Sequence, residues 1–316
     1  MGAGKTTLLN RLLAEPGGSR IAVVVNEFGE LPIDGRLVVG AEEDLILLRN
    51  GCVCCSVRGD LVETLTRLLD RRQRRLRRLE IDRIVVEASG LASPGPVLQT
   101  LNLEARLAEE TRGAGVVTLC HAAMIETQLE QHPEAEDQVG YADLLLINHT
   151  DRCAPEELDR VESCLRARNA LCVIERTQSA RIETSRILQL EVDPTPRLAE
   201  AASQIPGGPV LGPVAARHTP GVTTVSLESQ HPLDLHGLKM WLRLLGSQRD
   251  HELLRVKGYL HCTGRSEAVV VQGMYQWLEI GPGAGLAPER SALVLIGRNL
   301  DVESLRSAWQ RFSGGA

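Results

Sequence analysis

The stretch Gly2-Ala3-Gly4-Lys5-Thr6-Thr7-Leu8-Leu9-Asn10-Arg11-Leu12-Leu13 decides the fold. A phosphate loop needs small residues so that backbone N–H groups can turn inward, a lysine for the outer phosphates, and a hydroxyl for Mg²⁺. Gly4, Lys5 and Thr6 supply those parts, and Leu8, Leu9, Leu12 and Leu13 follow at helical spacing. The full pattern G-x-x-x-x-G-K-[ST] puts its first glycine two places upstream of Met1, and the strand that leads into such a loop lies upstream as well. About ten to fifteen more residues would supply both. The reading therefore expects a start assigned too late; a shortened chain, a degenerate paralogue and a chance run of small residues are the alternatives.

Outward from that loop, short continuous apolar runs alternate with helical patterns: Arg20 to Asn26, Asp44 to Leu48, Arg83 to Glu87, Gly115 to Leu119, Asp143 to Asn148 and Ala170 to Ile174. Such runs read as strands buried on both faces, and their alternation with helices implies right-handed crossovers. The expectation is an α/β domain with a mostly parallel, doubly wound sheet over residues 1–190. Residues 191–220 are rich in Pro and Gly and read as a linker. Residues 221–316 read as a smaller α+β domain, with strands at Val222 to Leu227, Leu254 to His261, Ala268 to Ile280 and Ala292 to Ile296. Helices near Asp234 to Leu245 and Asp301 to Phe312 complete it.

Composition narrows the function. Thirty-five basic against 41 acidic residues give a net charge of −6, which argues against nucleic acid as a partner. No apolar run approaches the roughly 20 residues that cross a bilayer, so the reading is a soluble, cytoplasmic protein without a membrane role. The arginines at 67, 71, 72, 74, 75, 77, 78 and 83 crowd one helix and its exit. No aromatic residues interleave with them, so a solvated face is favoured over a phosphate-binding patch.

Leu144 to Asn148 leads into Asn148-His149-Thr150-Asp151, a strand followed by N-x-x-D. Guanine presents two adjacent donors, N1–H and the N2 amino group, which one carboxylate can accept together; adenine has an acceptor at N1. Asp151 therefore selects guanine, and Asn148 braces the loop and contacts the base edge. His149 stands where a lysine stem usually covers the purine, and its imidazole is mostly neutral at pH 7. Asn and Asp at a strand exit are also common turn formers. Arg83 to Gly90 repeats the strand-then-carboxylate pattern: Glu87 could reach Mg²⁺ through water or orient the attacking water, while Gly90 lets an N–H approach the γ-phosphate. Asn26 to Glu30 and Asp34 lie where a nucleotide-sensing loop would be.

Cys52, Cys54 and Cys55 place three thiols within four residues. They can converge on one soft or borderline ion such as Zn²⁺, with a fourth ligand from elsewhere. A redox pair at Cys52 and Cys55 and a chance cluster of buried thiols remain open. Cys120, Cys153, Cys164, Cys172 and Cys262 are scattered and read as core thiols.

The order GAGKTTLLNRLL, VNEFGE, IDG, NGCVCCSVRGDL, VVEASGLASPGPV and NHTD, continued by LLRVKGYL, VVVQG and LVLIGRNLD, resembles the CobW-type metal-chaperone GTPases, relatives of UreG and HypB. The resemblance covers essentially the whole chain. It implies a slow GTP hydrolase that loads Zn²⁺ or Co²⁺ at Cys52, Cys54 and Cys55 and delivers it to a client metalloprotein or cofactor-synthesis enzyme; a homodimer is compatible with it. Carried over by position, Gly2, Ala3, Gly4, Lys5, Thr6 and Thr7 bind phosphates, with Thr6 on Mg²⁺. Glu87 to Gly90 form the switch, with Lys5 and Glu87 in catalysis, and Asn148, His149 and Asp151 hold guanine. Besides the missing first glycine, two residues depart from the family: His149 replaces a lysine, and His121 replaces the aspartate of a V-V-D-A pattern. A degenerate zinc-binding or regulatory module without turnover is the main alternative, and a thiol redox protein the lesser one.

Overall fold

The computed structural model describes residues 2–15, 17, 19–26, 45–47, 57–73, 81–113, 115–190, 221–247, 252–274 and 277–313. They fall into two compact units. The first comprises Met1–Gln138, Ala142–Glu162 and Val173–Glu191; the second comprises Val139–Tyr141, Ser163–Cys172 and Val192–Ala316.

In the first unit β1 (Ile21–Asn26) lies between β2 (Leu45–Leu47) and β3 (Arg83–Ala88), with both pairings parallel. A second parallel trio has β5 (Leu144–Asn148) between β4 (Val117–His121) and β6 (Val173–Arg176). The helices are α1 (Lys5–Ala14), α2 (Val57–Gln73), α3 (Gly95–Leu103), α4 (Ala105–Glu110), α5 (Ile125–Gln131), α6 (Pro133–Tyr141), α7 (Pro155–Arg168) and α8 (Thr184–Leu188). Among the described residues β3 pairs only with β1 and β4 only with β5, so the parallel strands form two three-stranded sheets.

One core nevertheless spans both. Leu8, Leu9 and Leu12 of α1 pack with Ile21 and Val23 of β1 and Leu144 and Leu146 of β5. Each buried leucine stabilises by about 1.5–3 kcal/mol, and together they fix the start of α1 against the strand ends. The alternate residues Ala22 and Val24 face the other way, onto Leu61, Leu65 and Leu68 of α2. Side chains on one strand covered by helices on opposite faces are what a doubly wound domain requires. Strand β6 begins at Val173 rather than Ala170. The buried Asn169 accepts hydrogen bonds from the N–H groups of Leu171 and Cys172 at 3.0 and 3.1 Å, which holds those residues in a turn.

The second unit carries β7 (Val222–Ser229), α9 (Leu235–Ser247), β8 (Glu252–Leu260), β9 (Glu267–Met274), β10 (Trp277–Leu286), β11 (Ser291–Arg298) and α10 (Val302–Phe312). The sheet order is β10-β9-β8-β11-β7 with every pairing antiparallel. Leu238, Leu242 and Leu245 of α9 and Leu305 and Trp309 of α10 pack with Val225, Leu227, Val256, Val271, Leu293 and Leu295. Asp301 caps α10 by accepting from the Ser304 N–H at 3.1 Å. The run expected as one strand from Ala268 to Ile280 is two: Met274 pairs with Trp277, so the chain reverses between them. No Gly, Pro, Asn or Asp marks that reversal.

No helix of the described residues is long and apolar enough to cross a membrane. The linker at 191–220, the thiol cluster at Cys52, Cys54 and Cys55, the loop from Glu27 to Asp34 and the arginines at 74, 75, 77 and 78 lie outside the described residues. Within them Arg67 is exposed and pairs with Glu63 along α2. Of the scattered cysteines, Cys120, Cys172 and Cys262 are buried, and Cys153 and Cys164 are partly so.

Candidate nucleotide site

Gly4 precedes α1 with φ +106°, in the left-handed region, and Gly2 has φ +81°. A Cβ built on Gly4 would stand 2.5 Å from Asn148 Nδ2, so glycine is required there both by backbone angle and by space. The first turn of α1 holds no acidic residue. Its N–H groups and Lys5 therefore face an anion without competition from a carboxylate in that turn. Ala3, Lys5 and Thr6 are half-buried; Gly2 and Thr7 are exposed.

Asn148 ends β5 and is fully buried. Its Nδ2 donates to the Ala3 carbonyl at 2.8 Å, and its Oδ1 accepts from the Ala180 N–H at 2.9 Å. Its own carbonyl accepts from the Ala122 N–H at 2.9 Å. One side chain thus joins the loop before α1 to the turn after β6. His149 adopts φ +64°, and its Nε2 lies 3.2 Å from the Gly2 carbonyl. Thr150 to Arg152 form a single 3-10 turn that leaves Asp151 exposed. The Thr150 hydroxyl donates to the Thr177 carbonyl at 3.1 Å.

The loop after β3 is held from another side. Gln138 of α6 donates through Nε2 to the carbonyls of Gly90 and Ala92 at 3.1 and 2.9 Å. Glu87 and Gly90 are half-buried, whereas Leu91 is 60% exposed. Asn26 and Ala88 are register partners at the ends of β1 and β3, and His121 and Asn148 at the ends of β4 and β5. Glu87, His121 and Asn148 thus lie at carboxyl ends of parallel strands, where ligands bind in open α/β sheets.

Residues 1–174 match the family model described as CobW/HypB/UreG, nucleotide-binding domain. The chain belongs to the CobW/HypB/UreG family. Residues 222–313 match the model described as Cobalamin synthesis protein cobW C-terminal domain. The CobW/HypB/UreG relatives include the zinc chaperone YjiA of Escherichia coli, 29% identical over 311 residues that cover 98% of this chain and 95% of that protein. The zinc chaperone CobW of Sinorhizobium is 29% identical over 344 residues, covering 98% and 93%. A crystal structure of a zinc-bound triple mutant of the YjiA GTPase superposes with a TM-score of 0.71 at 25% identity, covering 98% of this chain and 95% of that one. The fold of a P-loop GTPase with an attached antiparallel domain is therefore shared along the whole chain.

Within this CobW/HypB/UreG site, the structure adds residues that the sequence reading missed. The turn Gln178-Ser179-Ala180 follows β6, with Ser179 and Ala180 both left-handed at φ +50° and +52°. Arg11 of α1 donates through Nε to the Ser179 carbonyl at 3.1 Å, and Ala180 donates its N–H to Asn148. Two consecutive non-glycine residues at positive φ cost roughly 1–3 kcal/mol each and cluster at ligand-binding turns. Nothing in the local composition announces that strain, since Ser and Ala are not turn formers of that type. His121 contacts the loop after β5 as well: its ring stacks on His149 with centroids 4.5 Å apart.

Proposed function

We propose that this chain is a GTP-dependent metallochaperone: it binds GTP at the loop before α1, loads a transition metal on Cys52, Cys54 and Cys55, and passes it to a client as GTP is hydrolysed. The observation that carries the reading is the bracing of Asn148 and His149 against the Ala3 and Gly2 carbonyls. It sets a base-reading carboxylate, Asp151, on a loop fixed against a phosphate cradle, so one nucleotide can engage both. The zinc-chaperone relatives support metal as the cargo. In this reading residues 1–190 form the nucleotide domain and 221–316 a second domain, joined by 191–220.

Each residue has a task. The α1 N-terminus and Lys5 neutralise phosphate charge, and the Gly4 turn lets backbone N–H groups approach. The half-buried Thr6 in the first turn of α1 fits as the hydroxyl donor for Mg²⁺, whose charge, when bound, offsets that of the outer phosphates. Glu87 orients the attacking water, and the Gly90 N–H reads the γ-phosphate; the Gln138 bonds to Gly90 and Ala92 hold that loop. Hydrolysis then changes which contacts this loop makes, and metal transfer follows only insofar as the two nucleotide states differ in metal affinity.

The test is zinc stoichiometry and affinity in the nucleotide-free, GDP and GTP forms, together with phosphate release. Tighter zinc binding with GTP and slow turnover support the chaperone cycle. Zinc binding without any turnover leaves a metal-binding module instead, and reversible oxidation of Cys52 and Cys55 without bound metal points to redox chemistry.

A further inference from the structure

His121 ends β4 with only 6% of its surface exposed, yet its Nδ1 has no hydrogen-bond partner. A dry, unsatisfied ring nitrogen costs about 1–3 kcal/mol. The ring itself packs on that of His149, stacked at 30° with centroids 4.5 Å apart. The two positions where the resemblance implies other residues, Asp at 121 and Lys at 149, therefore touch each other. An aspartate and a lysine across the same space carry opposite charges from about pH 5 to pH 10 and attract throughout. Two imidazoles do so only while uncharged: with both protonated, repulsion at that separation is about 4 kcal/mol at an effective dielectric of 20.

The surroundings set the sign. Burial opposes a charge on His121 most strongly, then His149 and Arg152; Asp151 and the residue's own carbonyl offset this in part. His121 is therefore held below the ordinary histidine range. His149 in turn abuts the Gly2 carbonyl and occupies the left-handed turn on which Asp151 is mounted.

We propose that His121 is a positioning residue for the guanine loop: stacked on His149, it holds Asn148 to Asp151 against the phosphate loop, and guanine-nucleotide affinity falls when His121 takes up a proton. The proposal rests on the reading of Asn148 to Asp151 as the guanine loop. Burial and its neighbours keep His121 neutral through the ordinary histidine range, where the stack is intact; a proton forced onto it at lower pH competes with the stack.

The test measures affinity of the full chain for a fluorescent N-methylanthraniloyl GDP at pH 7.5 and 5.5. The parent is compared with the double variant His121→Asp, His149→Lys, which places oppositely charged groups at the two positions. The nucleotide's own titration is common to both proteins and cancels in the ratio. The parent is expected to weaken about tenfold more than the double variant, equivalent to one unit of linked pKa shift. Equal losses overturn the proposal. The ring Hε1 titration of His121 in the nucleotide-free chain gives a second reading: its pKa rises in His149→Ala if the stack is as described, and an unchanged value overturns it. Equal affinity for the corresponding ADP at pH 7.5 sinks the guanine reading itself, an outcome distinct from equal pH losses.

Discussion

Asn148 donates to the carbonyl of Ala3 at 2.8 Å across 145 positions of the chain, with its side chain sealed from solvent. That bond and the acceptance from Ala180 leave neither end of the amide idle. Asn148→Ala strands the half-buried Ala3 carbonyl and the buried Ala180 N–H and is expected to cost about 1–3 kcal/mol, most of it at Ala180. Urea unfolding of the nucleotide-free chain measures it. A loss below about 0.5 kcal/mol would show that water replaces both partners and that the amide is not the brace described.

Gly4→Ala meets two obstacles, a φ of +106° and the Asn148 amide 2.5 Å from the new Cβ. The backbone must leave the left-handed region, which turns the loop's N–H groups away from the phosphates. Isothermal calorimetry is expected to find GDP binding weakened by at least about a hundredfold, from strain and displacement of roughly 1–3 kcal/mol together with lost contacts. Gly17, also at positive φ but with only a methyl of Leu188 within reach, is the comparison. Its alanine variant loses stability without losing the nucleotide.

The parts of this picture that were legible in the sequence are those written by periodicity and local chemistry. Ile21 and Val23 against Ala22 and Val24 give a strand buried on both faces, and the leucines of α1 give its core side, because burial demands apolar atoms at fixed spacing. Asn148 was legible as a brace from the N-x-x-D pattern that follows a buried strand. The reversal between Met274 and Trp277 and the left-handed pair at Ser179 and Ala180 were not. Both are imposed by partners distant in sequence, the neighbouring strand in one case and Arg11 with Asn148 in the other. The contact of His121 with His149 was hidden likewise: it needs the pairing of β4 with β5, which no local pattern states.

In the proposed function Asp151 selects guanine through its acceptors alone. Asp151→Asn replaces one carboxylate oxygen by an amino donor, which faces the guanine N1–H or N2 amino group as donor against donor. Xanthine has an oxygen in place of the N2 amino group and accepts that donor. Loss of charge-assisted hydrogen bonds worth about 1.5–3 kcal/mol each predicts GDP weakened by roughly a hundredfold. Xanthosine diphosphate should gain relative to it. Competition binding with the two diphosphates checks this, and an unchanged ratio removes Asp151 from the base site.

Stability should depend on pH through His121. Burial, His149 and Arg152 hold its folded-state pKa below the unfolded value, so the unfolded chain binds the proton more readily. The folded state is not penalised above about pH 6.5, and it loses stability as pH falls from there through the lower folded-state value. Chemical unfolding at pH 7.5 and pH 5.5 is expected to show a loss in the parent that shrinks in His121→Asn, which cannot titrate. Were the two proteins to lose the same stability, the proton would be taken up elsewhere.

The thiol cluster supplies the remaining prediction, argued from donor chemistry. In the proposed function the three thiolates at Cys52, Cys54 and Cys55 make a soft site with one position left for a fourth ligand. Each must lose a proton to bind, so zinc uptake releases protons and weakens as pH falls. Cys54→Ser removes the central sulfur and substitutes a hydroxyl that zinc does not deprotonate readily. Zinc affinity should drop by at least about a hundredfold, while GDP affinity, set by Gly4, Lys5 and Asn148, stays within about twofold. Calorimetric titration of each ligand in parent and variant measures both effects. If zinc affinity survives, the ion is held elsewhere; if GDP affinity falls with it, the thiols support the nucleotide site instead of the cargo.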